Sequence, residues 1–186
     1  LGQIFDISMP NQKKGIIPSK KWKKTTLGES WYAGETLISG IGQGFVLTSP
    51  FQLAVMTSII ASNGKIIEPT ILKRNNANFK TNDKYSKEIK IIKKAMFKVV
   101  NENKGTAFKS RLQDVKFSGK TGTSQVRSIS LAERESDEFR KKEQEWKKRD
   151  HALFVGYIPY DDPKYAISVI IEHGGSGAST AAPIAK

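Results

Sequence analysis

Ser118-Gly119-Lys120-Thr121-Gly122-Thr123-Ser124 is the stretch on which the reading of this chain turns. It lies inside a candidate strand, Val115 to Val126. Glycine weakens a strand, so Gly119 and Gly122 predict a bend or a close approach by something else. Gly119-Lys120-Thr121 matches the end of a phosphate-cradling Walker A loop. That loop needs a glycine five residues before the second one, and Asp114 stands there, a carboxylate where phosphates would sit. A helix should also open directly after the Lys-Thr pair, and Gly122-Thr123 favours none. The other chemistry is acyl transfer, in which a lysine and neighbouring hydroxyls line a strand. Taken alone, the triplet also fits an ordinary strand with a surface lysine.

Working outward, Gly105 ends a helical pattern in which Ile89, Ile92, Met96, Val99 and Val100 repeat at helical spacing, with Ser86 as its cap. Further upstream, Ser49 is placed to cap a helix, Pro50 suits its first position, and Gln52 completes a capping box. Phe51 to Ala61 is almost wholly apolar or small, which predicts burial on most sides, and Asn63-Gly64 predicts a left-handed exit. Ile66, Ile67, Ile71 and Leu72 suggest short extended pieces around Pro69, and Asn75 to Tyr85 reads as loop. Leu1 to Gly28 reads as irregular, with a basic turn over Lys20 to Lys24, and Trp22 and Trp31 are expected to pack that region.

Downstream, 129–150 is densely charged and reads as an exposed helix or an insertion. Ala152 to Ile158 and Tyr165 to Ile171 are apolar runs joined by Pro159-Tyr160-Asp161-Asp162-Pro163, a strong hairpin signal. A last helix is expected near Ser179. His151 and His173 are far apart in sequence, which argues against a local metal site and for hydrogen-bonded strand-end roles.

The chain has 186 residues, no cysteine and a net charge of +13. Disulfides and thiolate metal sites are thereby excluded. The charge permits attraction to an anionic polymer. The basic residues are scattered rather than interleaved with aromatics in one stripe, which argues against nucleic acid. No run reaches the roughly 18 apolar residues of a membrane span. Leu1-Gly2-Gln3-Ile4 is no signal peptide, and both ends read as cuts in a longer chain.

Several blocks, in order, resemble the class B penicillin-binding proteins of the elongation type. Gly42-Gln43-Gly44 and Thr48-Ser49-Pro50-Phe51-Gln52-Leu53-Ala54 are similar to their Gly-Gln-Gly and Thr-Pro-Leu-Gln-Leu-Ala signatures. Gly105-Thr106-Ala107 resembles their Gly-Thr-Ala loop ahead of the Lys-Thr-Gly strand. His151 to Pro159, Glu172 to Gly177 and Ala181 to Ala185 resemble the strands and final helix that follow. The resemblance implies an α/β fold of the α+β type, an antiparallel sheet covered by helices, with residues 1–186 as the C-terminal portion of one transpeptidase domain. Three of five sheet strands would lie here. The others would pair beside Tyr165 to Ile171, and without them the piece would be poorly soluble or partly unfolded.

For the site, the resemblance implies that Lys120 supplies fixed positive charge to a substrate carboxylate and to the proton-transfer network. The hydroxyls of Thr121 and Thr123 would bind that carboxylate. Gly122 would let substrate lie against the backbone, and the Thr123 N–H would be one oxyanion-hole donor. It implies no cofactor and no metal. Substrates would be peptidoglycan stem peptides and β-lactams. Partners would be a membrane-embedded glycan polymerase and elongation-complex proteins, with the catalytic domain in the periplasm behind an inner-membrane anchor. The family's Ser-x-x-Lys has one formal match, Ser62-Asn63-Gly64-Lys65, at a helix exit where a nucleophile does not belong, and Ser-x-Asn is absent. Both motifs are expected upstream of Leu1. A β-lactam-sensing receptor of the same fold and a basic module for anionic polymer are the alternative readings.

Overall fold

Ser49 accepts the Gln52 N–H and opens helix α3 (Pro50–Ala61), with Pro50 in its first turn. The expected capping box does not form, because the Gln52 side chain is used elsewhere. It is 2% exposed. Its Nε2 donates to the Gln3 and Lys14 carbonyls at 2.6 and 2.9 Å, and its Oε1 accepts from Thr48. A buried amide with these partners holds the N-terminal segment onto the helix start. No residue from Phe51 to Ala61 is exposed, and Asn63 and Gly64 leave the helix with positive φ, both as the sequence predicts.

The computed structural model describes residues 1–72, 79–81, 83–126 and 145–186. They form two units, Leu1–Lys90 and Ile91–Lys186.

In the first unit, Lys20 to Lys24 is not a basic turn. It belongs to helix α1 (Lys20–Leu27), which Ser19 caps by accepting the Trp22 N–H and Gly28 ends at φ +72°. Helix α2 (Ala33–Gly40) follows; the Glu35 carboxylate accepts the Tyr32 N–H at its start. Trp22 packs on Phe45, with ring centroids 5.3 Å apart, and Trp31 donates its indole N–H to Thr36. Lys23, 2% exposed, bonds Glu35 at 2.6 Å and Glu29 at 3.2 Å and lies over the Tyr32 ring. Strand β1 (Lys65–Ile66) pairs with β2 (Lys80–Thr81). The expected loop over Asn75 to Tyr85 thus contains β2 and a 3₁₀ turn, Asp83–Tyr85. Its first part lies outside the described residues.

Helix α4 (Ser86–Asn101) ends four residues before Gly105. The Asn101 amide donates to the Phe97 and Phe117 carbonyls, an end fixed by side-chain bonds rather than by glycine.

The second unit is built on an antiparallel sheet in the order β3 (Ser118–Ser124), β4 (His151–Ile158), β5 (Tyr165–Ile171). β3 is shorter than the expected Val115 to Val126. The hairpin β4–β5 has the two predicted strands. Phe154 and Ala152 of β4 pack with Val100, Ala107, Phe117, Ala181 and Ala182 in the buried core. A π-helical turn, Gly177–Ala181, leads into helix α5 (Ala182–Ala185). This is the α+β arrangement expected, helices on an antiparallel sheet. Most of the charged 129–150 segment lies outside the described residues; within it, Trp146–Lys148 forms a 3₁₀ turn.

Candidate active site

The site is a strand whose residues alternate between two faces. Thr121 and Thr123 pair with Phe154 and Ala152 of β4 and share their face. Ser118, Lys120 and Gly122 pair with Tyr157, Val155 and Leu153 and share the other. The structure therefore brings the two threonine hydroxyls onto one face and sends Lys120 from the opposite one. The exposed Lys120 ammonium turns back along its own strand and donates to the Thr121 carbonyl at 2.7 Å. Among the described residues β3 pairs only with β4, so its other edge offers backbone groups to an extended ligand.

The two motif glycines answer to the sheet. A Cβ on Gly119 would come within 2.2 Å of the Phe154 ring and 2.7 Å of the Val155 carbonyl oxygen. A Cβ on Gly122 would meet the Leu153 Cβ at 3.3 Å, tighter than ordinary contact. Packing inside the sheet thus accounts for Gly119 and disfavours a side chain at position 122 independently of any substrate.

A second element reaches the motif. The turn after α4 carries Thr106, whose Oγ1 lies 2.9 Å from the Thr121 Oγ1. Sequence reasoning noticed Gly105-Thr106-Ala107 and did not foresee this contact, which spans 15 residues.

Two histidines close the far end of the strand. Ser124 pairs with His151, and the antiparallel hairpin returns His173 to it with ring centroids 4.7 Å apart. Sequence separation was therefore a poor guide to their distance, although both are hydrogen-bonded strand-end residues as expected. The His173 N–H donates to His151 Nδ1, so neutral His151 carries its proton on Nε2. His173 Nδ1 faces the Arg149 carbonyl at 2.9 Å, and since a carbonyl only accepts, that nitrogen carries the proton. Trp146 meets His173 edge-on, with ring centroids 4.7 Å apart.

Ser62 is the C-cap of α3, and its hydroxyl donates into the helix end at the Ile59 carbonyl. That is the helix-exit position read from the sequence.

The model of the penicillin-binding protein transpeptidase domain matches residues 1–186. A peptidoglycan D,D-transpeptidase MrdA of Acinetobacter baumannii is 34% identical over 98% of the chain, and that of Haemophilus influenzae 33% over 100%. The chain spans only 28% and 30% of those relatives' lengths. Among solved structures, Helicobacter pylori PBP2 in complex with MreC superposes with a TM-score of 0.83 at 32% identity, covering 99% of this chain and 32% of that one. Pseudomonas aeruginosa PBP2 in complex with WCK 5153 gives 0.77 at 33% identity, covering 99% of this chain and 39% of that one.

Proposed function

The chain belongs to the penicillin-binding protein transpeptidase family, and from that premise we propose that it supplies the carboxylate-binding and oxyanion half of a serine-type D,D-transpeptidase acting in cell-wall elongation. The observation that carries this reading is the placement of Thr121 and Thr123 on one face of an edge strand. Their two hydroxyls suit a terminal carboxylate, and the strand edge suits an extended peptide. The Thr123 N–H serves as an oxyanion donor. Lys120 contributes positive charge from the other side of the strand, toward the proton-transfer network.

In this reading a serine hydroxyl attacks the carbonyl between the two terminal D-alanines of a stem peptide. An ester bond forms, the peptide bond breaks, and the last D-alanine leaves with the proton on its amine. The amine of a neighbouring stem then attacks the ester, forming the cross-link and returning the proton to serine. The serine belongs to a part of the protein outside residues 1–186, so this piece alone is inactive. Partners are those of an elongation complex: a protein of the MreC kind, as in the complex of the Helicobacter pylori relative, and a glycan polymerase. No helix among the described residues is long and apolar enough to cross a membrane. The membrane anchor and the periplasmic placement therefore belong to the proposal.

Intact mass after incubation with a β-lactam tests it, on residues 1–186 and on the chain extended upstream. The extended chain should gain one drug mass, residues 1–186 none, and Lys120→Ala should abolish the gain. A folded extended chain that never acylates sinks the reading.

A further inference from the structure

Thr106 sits between two anchored residues. Before it, Gly105 presses on α4 so closely that a Cβ would come within 2.2 Å of the Val99 carbonyl oxygen and 2.6 Å of that of Lys98. The Gly105 N–H donates to Glu102 O at 2.8 Å. After it, Ala107 is buried in the core and donates its N–H to Val99 O at 3.0 Å. With both neighbours fixed, the Thr106 backbone has little freedom. Its exposed side chain meets Thr121 at 2.9 Å.

A hydroxyl has one proton and two lone pairs, so only one member of such a pair can donate to the other. If Thr121 donates to Thr106, its proton is spent. If Thr106 donates to Thr121, the Thr121 proton stays available. A carboxylate accepts and never donates. An anion at Thr121 therefore selects the order Thr106 to Thr121 to anion, in which each bond polarises the next.

We infer that Thr106 is a positioning residue that sets the Thr121 hydroxyl as a donor to the substrate carboxylate. The inference rests on the preceding reading that β3 holds that carboxylate, and it adds a residue outside the Lys-Thr-Gly strand.

The test uses the intact protein with Thr106→Val and Thr106→Ser. The second-order acylation rate is measured with a β-lactam bearing a free carboxylate and with its methyl ester, which cannot present the anion. Valine keeps the shape and removes the hydroxyl; serine restores it. Thr106→Val should slow the carboxylate form about fivefold, as expected for losing the hydroxyl–hydroxyl bond that orients and polarises the Thr121 donor. The ester rate should stay within about twofold, and Thr106→Ser should recover the wild-type rate. Equal loss with both compounds would mean a structural role only, and no loss with either would mean no role; each overturns the inference. A wild-type protein that neither compound acylates removes the preceding reading as well.

Discussion

Gly177 lies flat against Gly122: a Cβ on Gly177 would come within 2.3 Å of the Gly122 carbonyl oxygen and 2.4 Å of that of Leu153. The turn that leads into α5 thus bears directly on the Lys-Thr-Gly strand. The contact is backbone on backbone, so no rotamer change relieves it. Only a displacement of the turn or of β3 and β4 would make room.

Gly177→Ala should therefore destabilise the protein by about 1–3 kcal/mol, the cost of overpacking a close-packed interior. It should also disturb the geometry of Gly122 and Thr123. Gly34→Ala is the control. No atom lies within 4 Å of a Cβ there, and the residue is helical, so stability should hold or rise slightly. Thermal unfolding of the two variants decides the matter. Equal melting temperatures would show that the turn yields freely.

The Lys23–Glu35 pair carries a pH signature. The hydrogen bond with Glu35 raises the Lys23 ammonium above its ordinary 10.5, although desolvation opposes the shift. The hydrogen bond with Lys23, helped by the Tyr32 N–H, lowers the Glu35 carboxyl below its ordinary 4.5. A lowered acid stabilises the fold above its unfolded value and loses that contribution as pH falls through the folded one. A raised base stabilises below its unfolded value and loses that contribution as pH rises through the folded one. The pair should thus help most between about pH 4.5 and 10.5. Glu35→Gln should lower the melting temperature at pH 7 and leave a flatter acid limb. A variant whose acid limb matches wild type would show that the pair contributes nothing.

Gln52 should resist substitution for a different reason. Gln52→Leu keeps the bulk and removes the part-buried bonds to the Gln3 and Lys14 carbonyls, each worth about 0.5–1.5 kcal/mol. Gln52→Glu would set an acceptor against those carbonyls. Both variants should lower the denaturant midpoint and expose residues 1–16 to protease. Unchanged protection would mean that the segment is held by other contacts, such as the Ile16–Leu47 bridge.

What the sequence disclosed and what it hid divide along one physical line. β4 and β5 were legible because long apolar runs flank a Pro-Tyr-Asp-Asp-Pro loop. α3 was legible because Ser49 and Pro50 mark its start. α1 was missed because Lys20, Lys21, Lys23 and Lys24 read as surface charge, yet Ser19 and Gly28 are ordinary end signals. α2 was missed because Gly34, Thr36, Ser39 and Gly40 are poor helix formers; the Glu35 bond to the Tyr32 N–H at its start is local, but the Lys23–Glu35 bond that also holds it joins residues 12 apart. In the site, the Lys-Thr-Gly residues were read directly. The Thr106–Thr121 and His151–His173 contacts were not, since each depends on how α4 and the hairpin return to β3. Even the opposite facing of Lys120 and the two threonines follows from strand alternation alone once the strand is accepted.

Tyr157 offers the last test. It pairs with Ser118 across β3 and β4, fully buried, with neither hydroxyl finding a well-formed partner among the described side chains. Burial pushes its phenol up to about 12. A neutral acid held above its unfolded value of about 10 stabilises the fold below that value. Between about pH 10 and 12 the unfolded chain ionises while the folded one does not, so stability should fall across that window. Tyr157→Phe should remove this part of the alkaline loss. At pH 7 it should cost little or even stabilise, because it deletes a buried hydroxyl without emptying the space. Denaturant midpoints at pH 7 and pH 11 measure both effects. A large loss at pH 7 would mean that the hydroxyl makes a strong bond, and the account of a buried, unpartnered Tyr157 hydroxyl would fall.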